Sequence, residues 1–145
     1  PLEDGIIVRS QAALIANRAA LRTRQEVLSV ARTMLEFTEA HLRAQDHFMV
    51  VANIRGESPE AITERMFAQD VLAGLQGPTV APVVGRDSDT SWYAVQIVVR
   101  RDALIQAIAE LRAIGGSGVV VTPVTYIFEE EPARYLAMME AVKAP

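Results

Sequence analysis

Apolar and polar positions along this chain follow two periods, one typical of strands and one typical of helices. Short apolar runs rich in β-branched and aromatic residues predict strands over Phe48–Ala52, Trp92–Val99 and Val119–Val121. Between them, apolar residues recur every three or four positions, which predicts helices over about Pro59–Leu72 and from Asp102 to Leu111. The middle of the chain therefore alternates strands with helices.

Residues typical of helix ends frame both helices. Ser58, Pro59 and Glu60 provide an N-cap, a proline at the first helical position and an acid in the first turn. Asp102 is predicted to cap the second helix and Gly115 to end it. The expected core positions are Ile62, Met66, Phe67 and Val71 in the first helix, and Leu104, Ile105, Ile108 and Leu111 in the second.

A further strand is expected at the edge of the sheet. Thr79–Val84 is rich in apolar residues, but Pro82 interrupts it, and proline lacks the N–H that a central strand would donate. The polar segment Gly85–Thr90 then predicts a hairpin loop. From Phe48 to Thr122 the order is β-α-β-β-α-β, which predicts an α+β, ferredoxin-like sandwich with both helices on one face of an antiparallel sheet.

The flanking segments predict a strand, a long helix and a C-terminal helix. Ile6–Ala16 begins with β-branched residues and is interpreted as a strand. Thr23 and Glu26 have the spacing of a capping box and open a helix from about Arg24 to Gln45. Three acids and a proline, at 129–132, precede an amphipathic C-terminal run.

Composition excludes several classes of function. The chain has 145 residues, half of them hydrophobic, and a net charge of −4 with no cluster of Lys and Arg, so neither a nucleic-acid nor a membrane partner is expected. Cysteine is absent and no apolar run approaches the roughly 20 residues that span a bilayer, which favours a cytoplasmic protein. The start at Pro1 indicates a piece of a longer protein, with processing as the alternative.

Candidate chemistry is sparse. His41 and His47 are predicted near a helix end and at a strand start, an arrangement that does not favour a shared metal. Gly115–Gly118 follows a helix and precedes a strand, the reverse of a phosphate loop, so a helix cap and tight turn is favoured over amides that hold a carboxylate. Trp92 is interpreted as a core or interface anchor. No catalytic residue and no metal ligand is predicted.

Three segments carry a resemblance to a known family. Gly74–Pro82, Ser91–Val95 and Leu111–Val119 resemble, in order and spacing, the C-terminal regulatory part of the long form of ATP phosphoribosyltransferase. The similarity runs from Gly5 to Val124, and Gly5–Asn17 looks like the closing strand region of the catalytic part. The resemblance implies an ACT/PII-like domain that binds histidine, the end product of the pathway, as a feedback inhibitor.

The resemblance also implies a division of the chain. Residues 1–21 would be a remnant of the catalytic domain, 22–45 a connecting helix, 46–128 the regulatory domain and 129–145 a helical tail. The parent reaction joins ATP to phosphoribosyl diphosphate with Mg²⁺. The family's phosphate-binding loop has no counterpart here, so this segment is expected to bind no cofactor and to catalyse nothing alone. Relatives assemble as hexamers, and a homo-oligomer is expected.

Residues for the histidine site are carried over from the family position by position. Free histidine presents an ammonium, a carboxylate and an imidazole, each of which needs a directional partner. Side-chain oxygens of Asn53 and Thr79 and exposed backbone amides would supply them, or else these two residues only satisfy turn and strand-end backbone groups. The residues that the resemblance implies are Asn53, Leu75, Thr79, Ile97, Val98 and Gly118.

Two alternatives to the histidine sensor stay open. Arg55 and Thr125 depart from the family's usual residues, which favours a scaffold or oligomerisation domain that binds no ligand. A sensor of another small molecule is also compatible with the fold, because a fold does not determine its ligand.

Overall fold

The computed structural model describes residues 10–84 and 91–144. The predicted loop Gly85–Thr90 and the first part of the predicted strand, residues 6–9, lie outside this range. Two compact units are present: one is Phe37–Glu130, and the other combines the residues up to Glu36 with those from Glu131 onward. The predicted domain boundaries, which place the long helix in a segment of its own, stay a prediction.

Nine helices and strands follow one another in the part of the chain that the structure describes, in addition to a short 3-10 turn at Arg101–Ala103. In chain order they are α1 Arg18–Thr23, α2 Gln25–Ala44, β1 His47–Arg55, α3 Pro59–Phe67, β2 Thr79–Val83, β3 Trp92–Arg100, α4 Leu104–Ala113, β4 Ser117–Pro123 and α5 Ala133–Lys143.

The unit Phe37–Glu130 contains a four-stranded sheet in the order β2-β3-β1-β4, with every neighbouring pair antiparallel. Val50 lies between Ile97 of β3 and Val121 of β4, which gives the register of β1 against both of its neighbours. Helices α3 and α4 each join strands in the β-α-β order. The predicted α+β, ferredoxin-like fold of the ACT/PII type is confirmed.

The core lies between the sheet and its two helices. Because side chains of a strand alternate between faces, every second residue of the central strands is buried. The opposite sheet face carries the remaining residues. The buried cluster consists of Val50, Ala52, Ile54, Ile62, Met66, Leu72, Val95, Ile97, Val99, Ala107 and Leu111.

Helix α3 begins as predicted but ends earlier. The Ser58 hydroxyl accepts a hydrogen bond from the N–H of Ala61 at 3.2 Å, and Pro59 occupies the first turn. The prediction that the helix reaches Leu72 is wrong, because the chain leaves the helix after Phe67. Leu72 is still buried, but it lies in the turns that follow the helix. Phe67 is 58% exposed, because it is adjacent to the buried face of α3 rather than part of it.

Two predictions for helix α4 are wrong. Asp102 does not cap the helix; it lies in the 3-10 turn, and its carboxylate binds the Arg100 guanidinium at 3.1 and 2.6 Å. Ile105 is 84% exposed, because the buried stripe runs through Ala107 and Leu111. As predicted, Gly115 ends the helix: φ is +91° there, a conformation that favours glycine.

The second unit differs from prediction at its start. Residues 10–16 form no strand, and α1 begins after Asn17, whose side-chain oxygen accepts a bond from the N–H of Ala20 at 3.0 Å. The predicted capping box is not formed. The Thr23 hydroxyl instead donates to the Ala19 carbonyl at 2.9 Å, and Glu26 pairs with Arg24 at 3.0 Å.

Two arginines of the same unit bind the carboxyl-terminal end of α5. Arg18 donates to the carbonyls of Ala141 and Ala144, each at 2.6 Å, and Arg22 donates to those of Val142, at 2.7 Å, and Ala144. Carbonyls at this end of a helix have no partner within the helix and carry partial negative charge. The guanidinium groups satisfy both requirements, so they hold α5 in place.

Candidate functional site

Asn53 and Gly118 lie together where β1 and β4 meet. Asn53 is exposed on β1 and pairs with Ser117, whose hydroxyl donates to the Asn53 carbonyl at 3.4 Å. A Cβ atom placed on Gly118 would lie 4.0 Å from the Asn53 side-chain nitrogen. The structure therefore brings two of the six predicted site residues into one neighbourhood.

A β-bulge explains the glycine at position 118. Val51 pairs with Val120 and Asn53 with Ser117, so Gly118 and Val119 together oppose the single residue Ala52. Gly118 has a φ of +60°, the left-handed conformation of the first residue in a glycine-type bulge. The bulge bends β4 at the point where it passes Asn53.

The segment before this bulge is a helix cap and turn. The N–H of Gly115 donates to the Arg112 carbonyl at 3.1 Å, and that of Gly116 to the Leu111 carbonyl at 2.7 Å. These amides serve the end of α4, which supports the cap interpretation of the glycine-rich segment.

Thr79 is on the same sheet face as Asn53 but does not adjoin it. Thr79 opens the edge strand β2 and pairs with Gln96 of β3, which in turn pairs with Val51. Strands lie about 4.8 Å apart and residues rise about 3.3 Å, so Thr79 and Asn53 are roughly 10 Å apart or more. A ligand the size of an amino acid could not touch both side chains closely.

Leu75 and Val98 form a third neighbourhood. The N–H of Leu75 donates to the Val98 carbonyl at 2.9 Å, which fastens the loop after α3 to β3 just beyond the first residue of β2. Gly74 makes this approach possible: its φ is +62°, and a Cβ there would lie 3.2 Å from the Val98 carbonyl oxygen.

Ile97 belongs to the core. Its side chain is 1% exposed and packs between the sheet and the helices. Only its backbone could take part in binding, and that backbone lies inside the sheet. The six predicted residues thus occupy three separate surface neighbourhoods and one buried position.

Two features near these residues have no counterpart in the sequence prediction. Arg55 and Trp92 pair across β1 and β3, with the guanidinium carbon 4.5 Å from the ring centroid. Gln96, beside Thr79, presents an amide on the exposed sheet face. Gln96 was visible in the sequence as a polar residue inside the apolar strand Trp92–Arg100, whereas the Arg55–Trp92 pair depends on strand register.

The histidines and acids do not form a metal site in the residues that the structure describes: no group of three or more His, Asp or Glu side chains there could hold a metal ion. His41 Nδ1 lies 3.2 Å from the Thr125 carbonyl, and His47 Nδ1 lies 2.7 Å from that of Arg43. Both rings therefore serve backbone carbonyls. Within the same described range, no helix combines the length and the apolarity needed to cross a membrane.

The fold and its exposed strand ends define an α+β domain of the ferredoxin-like class. The family described as HisG, C-terminal domain, matches residues 44–126, more than half of the chain and all four strands. The chain therefore belongs to this family.

Curated relatives agree with this assignment. ATP phosphoribosyltransferase 2, chloroplastic, from Arabidopsis thaliana is 47% identical over 141 residues, which are 95% of this chain and 34% of the relative. ATP phosphoribosyltransferase 1, chloroplastic, from the same plant is 45% identical over 137 residues, 92% of this chain and 33% of the relative. An ATP phosphoribosyltransferase of Methanosarcina barkeri is 30% identical over 128 residues, 88% of this chain and 40% of the relative. The chain spans about a third of the length of its two Arabidopsis relatives.

Proposed function

We propose that this chain is the regulatory domain of an ATP phosphoribosyltransferase and that it binds L-histidine as a feedback inhibitor of histidine biosynthesis. The observation that carries the proposal is the family match over residues 44–126, which coincides with the sheet domain inside Phe37–Glu130. A ligand that binds such a domain can inhibit the enzyme if the two sites are coupled, typically by about 1–3 kcal/mol.

The exposed side chains at the strand ends support binding of a small polar molecule. The Asn53 amide and the Thr79 hydroxyl stand on the open sheet face, and the Arg55 guanidinium lies on the same face of β1. Together they offer donors for a carboxylate and acceptors for an ammonium or an imidazole N–H. They are too far apart to enclose one amino acid within a single copy, so the proposal includes a second copy that closes the site.

The open sheet face also supports self-association. Met49, Val51 and Val98 lie on the side opposite the helices and remain half-buried in the single chain. Apolar residues on such a face are suited to contacts between subunits. We accordingly propose a homo-oligomer, hexameric in the intact enzyme, in which ligand binding favours one packing of the subunits over another.

The parent reaction is assigned to the part of the relatives that this chain does not span. In the proposal, the transfer from phosphoribosyl diphosphate to ATP and its Mg²⁺ belong there. No step of that reaction is assigned to residues of this chain, which spans about a third of the length of its two Arabidopsis relatives.

Calorimetry tests the proposal directly. Titration of L-histidine into the chain is expected to give a saturable heat, and Thr79→Ala and Asn53→Ala are each expected to weaken binding about tenfold, the effect of losing one hydrogen bond to a charged group. Thr33→Ala is the matched control, because that hydroxyl donates only to the Ser29 carbonyl on α2.

The absence of any heat would overturn the proposed ligand. Unchanged histidine binding by both variants would leave the ligand standing and overturn the assigned residues.

A scaffold without a ligand is the second candidate. It is favoured by the separation of the six predicted residues into distinct neighbourhoods and by the burial of Ile97. Sedimentation velocity distinguishes the two candidates: a scaffold forms the same oligomer with and without histidine and gives no heat with any amino acid. A third candidate, a sensor of another small molecule, would give heat with that molecule and none with histidine.

A further inference from the structure

Three aromatic side chains of the unit Phe37–Glu130 form a cluster that includes none of the six residues carried over for histidine. Phe37 lies on α2, and Tyr126 and Phe128 lie in the segment that follows β4. The Phe37 ring meets the other two edge to face, with its centroid 5.6 Å from that of Tyr126 and 5.3 Å from that of Phe128. The rings of Tyr126 and Phe128 stack on each other at 5.8 Å. We call these three rings the aromatic cluster.

The aromatic cluster is only half covered. Phe37 is 49%, Tyr126 45% and Phe128 48% exposed. An aromatic side chain that is fully covered buries about 150–250 Å², so the three rings together leave roughly 300 Å² of apolar surface in contact with solvent. A contiguous exposed patch of this size on a folded domain often marks a site of interaction.

Contacts with α2 hold the segment that carries two of the rings. The N–H of Ile127 donates to the Ala40 carbonyl at 3.1 Å, and the Glu129 carboxylate binds the Arg43 guanidinium at 2.7 Å. The contact of His41 described above adds a third point of attachment. The cluster is therefore in place before any partner binds, which lowers the entropic cost of association.

Two carboxylates directly follow the rings along the chain. The Glu129 side chain remains 43% exposed although it binds Arg43, and Glu130 is exposed. Two residues of chain span at most about 7 Å, so the Cα atom of Glu130 lies no farther than that from the Cα atom of Phe128. A group that covers the aromatic cluster therefore meets apolar rings and negative charge together.

Arginine is the side chain that matches both features. Its guanidinium is planar, stacks on aromatic faces and donates paired N–H groups to carboxylates, and it is less strongly hydrated than the ammonium of lysine. The chain forms the same stacking contact internally, with guanidinium carbons 4.5 Å from the ring centroid of Trp92, 4.8 Å from that of Phe48 and 4.9 Å from that of Tyr135. Ring chemistry and charge complementarity thus favour an arginine at the cluster.

The exposed area favours a short segment over a second copy of this chain. Each partner in a stable dimer covers about 800 Å², more than twice the roughly 300 Å² that the cluster exposes. In a two-fold contact at this face, a second copy would also bring its own Glu129 and Glu130 close to these acids, and like charges repel.

We propose that the aromatic cluster is a docking surface for a short arginine-bearing segment of a partner protein. The guanidinium lies on the exposed rings and pairs with the Glu130 carboxylate. The inference does not rest on the proposed function, because none of the six residues proposed for histidine belongs to the cluster.

Nuclear magnetic resonance with peptides that contain a single arginine tests the docking surface. Titration of the ¹⁵N-labelled chain with acetyl-Gly-Leu-Arg-Leu-Gly-amide is expected to shift the amide signals of Phe37, Tyr126 and Phe128 in a saturable way. The same peptide with citrulline keeps the planar group and loses the charge, so it is expected to bind about tenfold more weakly. Lysine in that place keeps the charge but stacks less well, and it is expected to bind about threefold more weakly.

Variants identify the groups that bind the peptide. Phe128→Leu keeps an apolar side chain and removes the aromatic face, and Glu130→Gln removes the charge; each is expected to weaken binding of the arginine peptide about threefold to fivefold. Phe67→Leu and Glu64→Gln, at an exposed phenylalanine and an exposed acid of α3, are the matched controls and should bind like the parent. The dispersion of the amide spectrum reports whether each variant is folded.

Any of three results would overturn the docking surface: no saturable shifts with the arginine peptide, equal binding of the citrulline peptide, or folded Phe128→Leu and Glu130→Gln variants that both bind like the parent. Signals of the cluster that shift when the chain alone is diluted would overturn it as well, because a second copy would then cover the rings. Histidine binding is measured separately by calorimetry, so the failure of one proposal is distinguishable from the failure of the other.

Discussion

The two units of this chain are stabilised by different means. Phe37–Glu130 has a continuous core in which eleven side chains are buried, all of them apolar. In the other unit, Leu21 and Val142 are buried, and arginines of α1 bind the backbone carbonyls of α5. Apolar burial contributes throughout a core, whereas a few hydrogen bonds act at single points. We infer that the sheet domain responds to substitution as a whole and that the helical unit responds locally.

The largest effect is expected in the core of the sheet domain. Leu111→Ala removes a fully buried side chain and leaves a cavity, which should lower the free energy of unfolding by about 2–5 kcal/mol. Urea unfolding followed by circular dichroism measures the change. Ile105→Ala on the same helix is the control, since its side chain is 84% exposed and should cost less than about 0.5 kcal/mol. Equal effects of the two variants would contradict the assigned core face.

The second-largest effect is expected at Arg65, whose guanidinium binds two backbone carbonyls of the sheet domain. Arg65 of α3 donates to the Arg55 carbonyl at 2.7 Å and to the Ile114 carbonyl at 3.3 Å, so it joins the ends of β1 and α4. Arg65→Ala should lower the free energy of unfolding by about 1–3 kcal/mol, because two carbonyls lose a charged donor. Arg112→Ala, an exposed arginine in the last turn of α4, should leave the urea midpoint nearly unchanged.

A local effect is expected in the helical unit. Arg22→Ala removes donors to the carbonyls of Val142 and Ala144. Hydrogen exchange of the last turn of α5 should accelerate about fivefold to tenfold, which corresponds to about 1 kcal/mol, while the amides of β1 keep their protection. Arg24→Ala is the control, because Arg24 forms an exposed ion pair with Glu26. If the amides of β1 also lost their protection against exchange in Arg22→Ala, the effect would not be local, and the inferred difference between the two units would be wrong.

The smallest effect concerns two exposed acids of the sheet domain. The hydrogen bond from Arg100 lowers the pKa of Asp102, and backbone and Ser58 hydrogen bonds at the start of α3 lower the pKa of Glu60. Groups with a lowered folded-state pKa stabilise the fold above their unfolded-state pKa, near 4, and this contribution disappears as pH falls through the folded-state pKa. Urea midpoints between about pH 6 and about pH 3 should therefore fall slightly less in Asp102→Asn than in the parent. If the urea midpoints of the parent and of Asp102→Asn fell equally, Asp102 would not contribute to the pH dependence.

In the sheet domain, the sequence was sufficient to predict the order of strands and helices because their periods are distinct, whereas α1 was missed and residues 10–16 form no strand. The alternation in Trp92–Val99, which lies in β3, and the cap at Ser58 were both correctly interpreted. The predicted buried faces of the helices were less accurate. Phe67 and Ile105 are adjacent to the buried residues, and which of two adjacent apolar residues is buried depends on how each helix packs against the sheet. The turn Arg101–Ala103 displaced the expected cap at Asp102, since its carboxylate binds Arg100 instead.

The arrangement of the candidate site depends on strand register, which local sequence does not determine. Asn53 adjoins Gly118 because of a bulge in β4, and Thr79 is separated from Asn53 by β3. These relations follow from the tertiary fold, so a list of residues could not distinguish one pocket from several.

The proline of the edge strand has a consequence for how copies of this domain can join. Pro82 stands in β2, which has β3 on one side only, and its nitrogen carries no hydrogen. Proline on an edge strand is one of the features that disfavour pairing with a further strand, so extension of the sheet along β2 is disfavoured. Aggregation of copies through edge-to-edge pairing of β2 is therefore disfavoured.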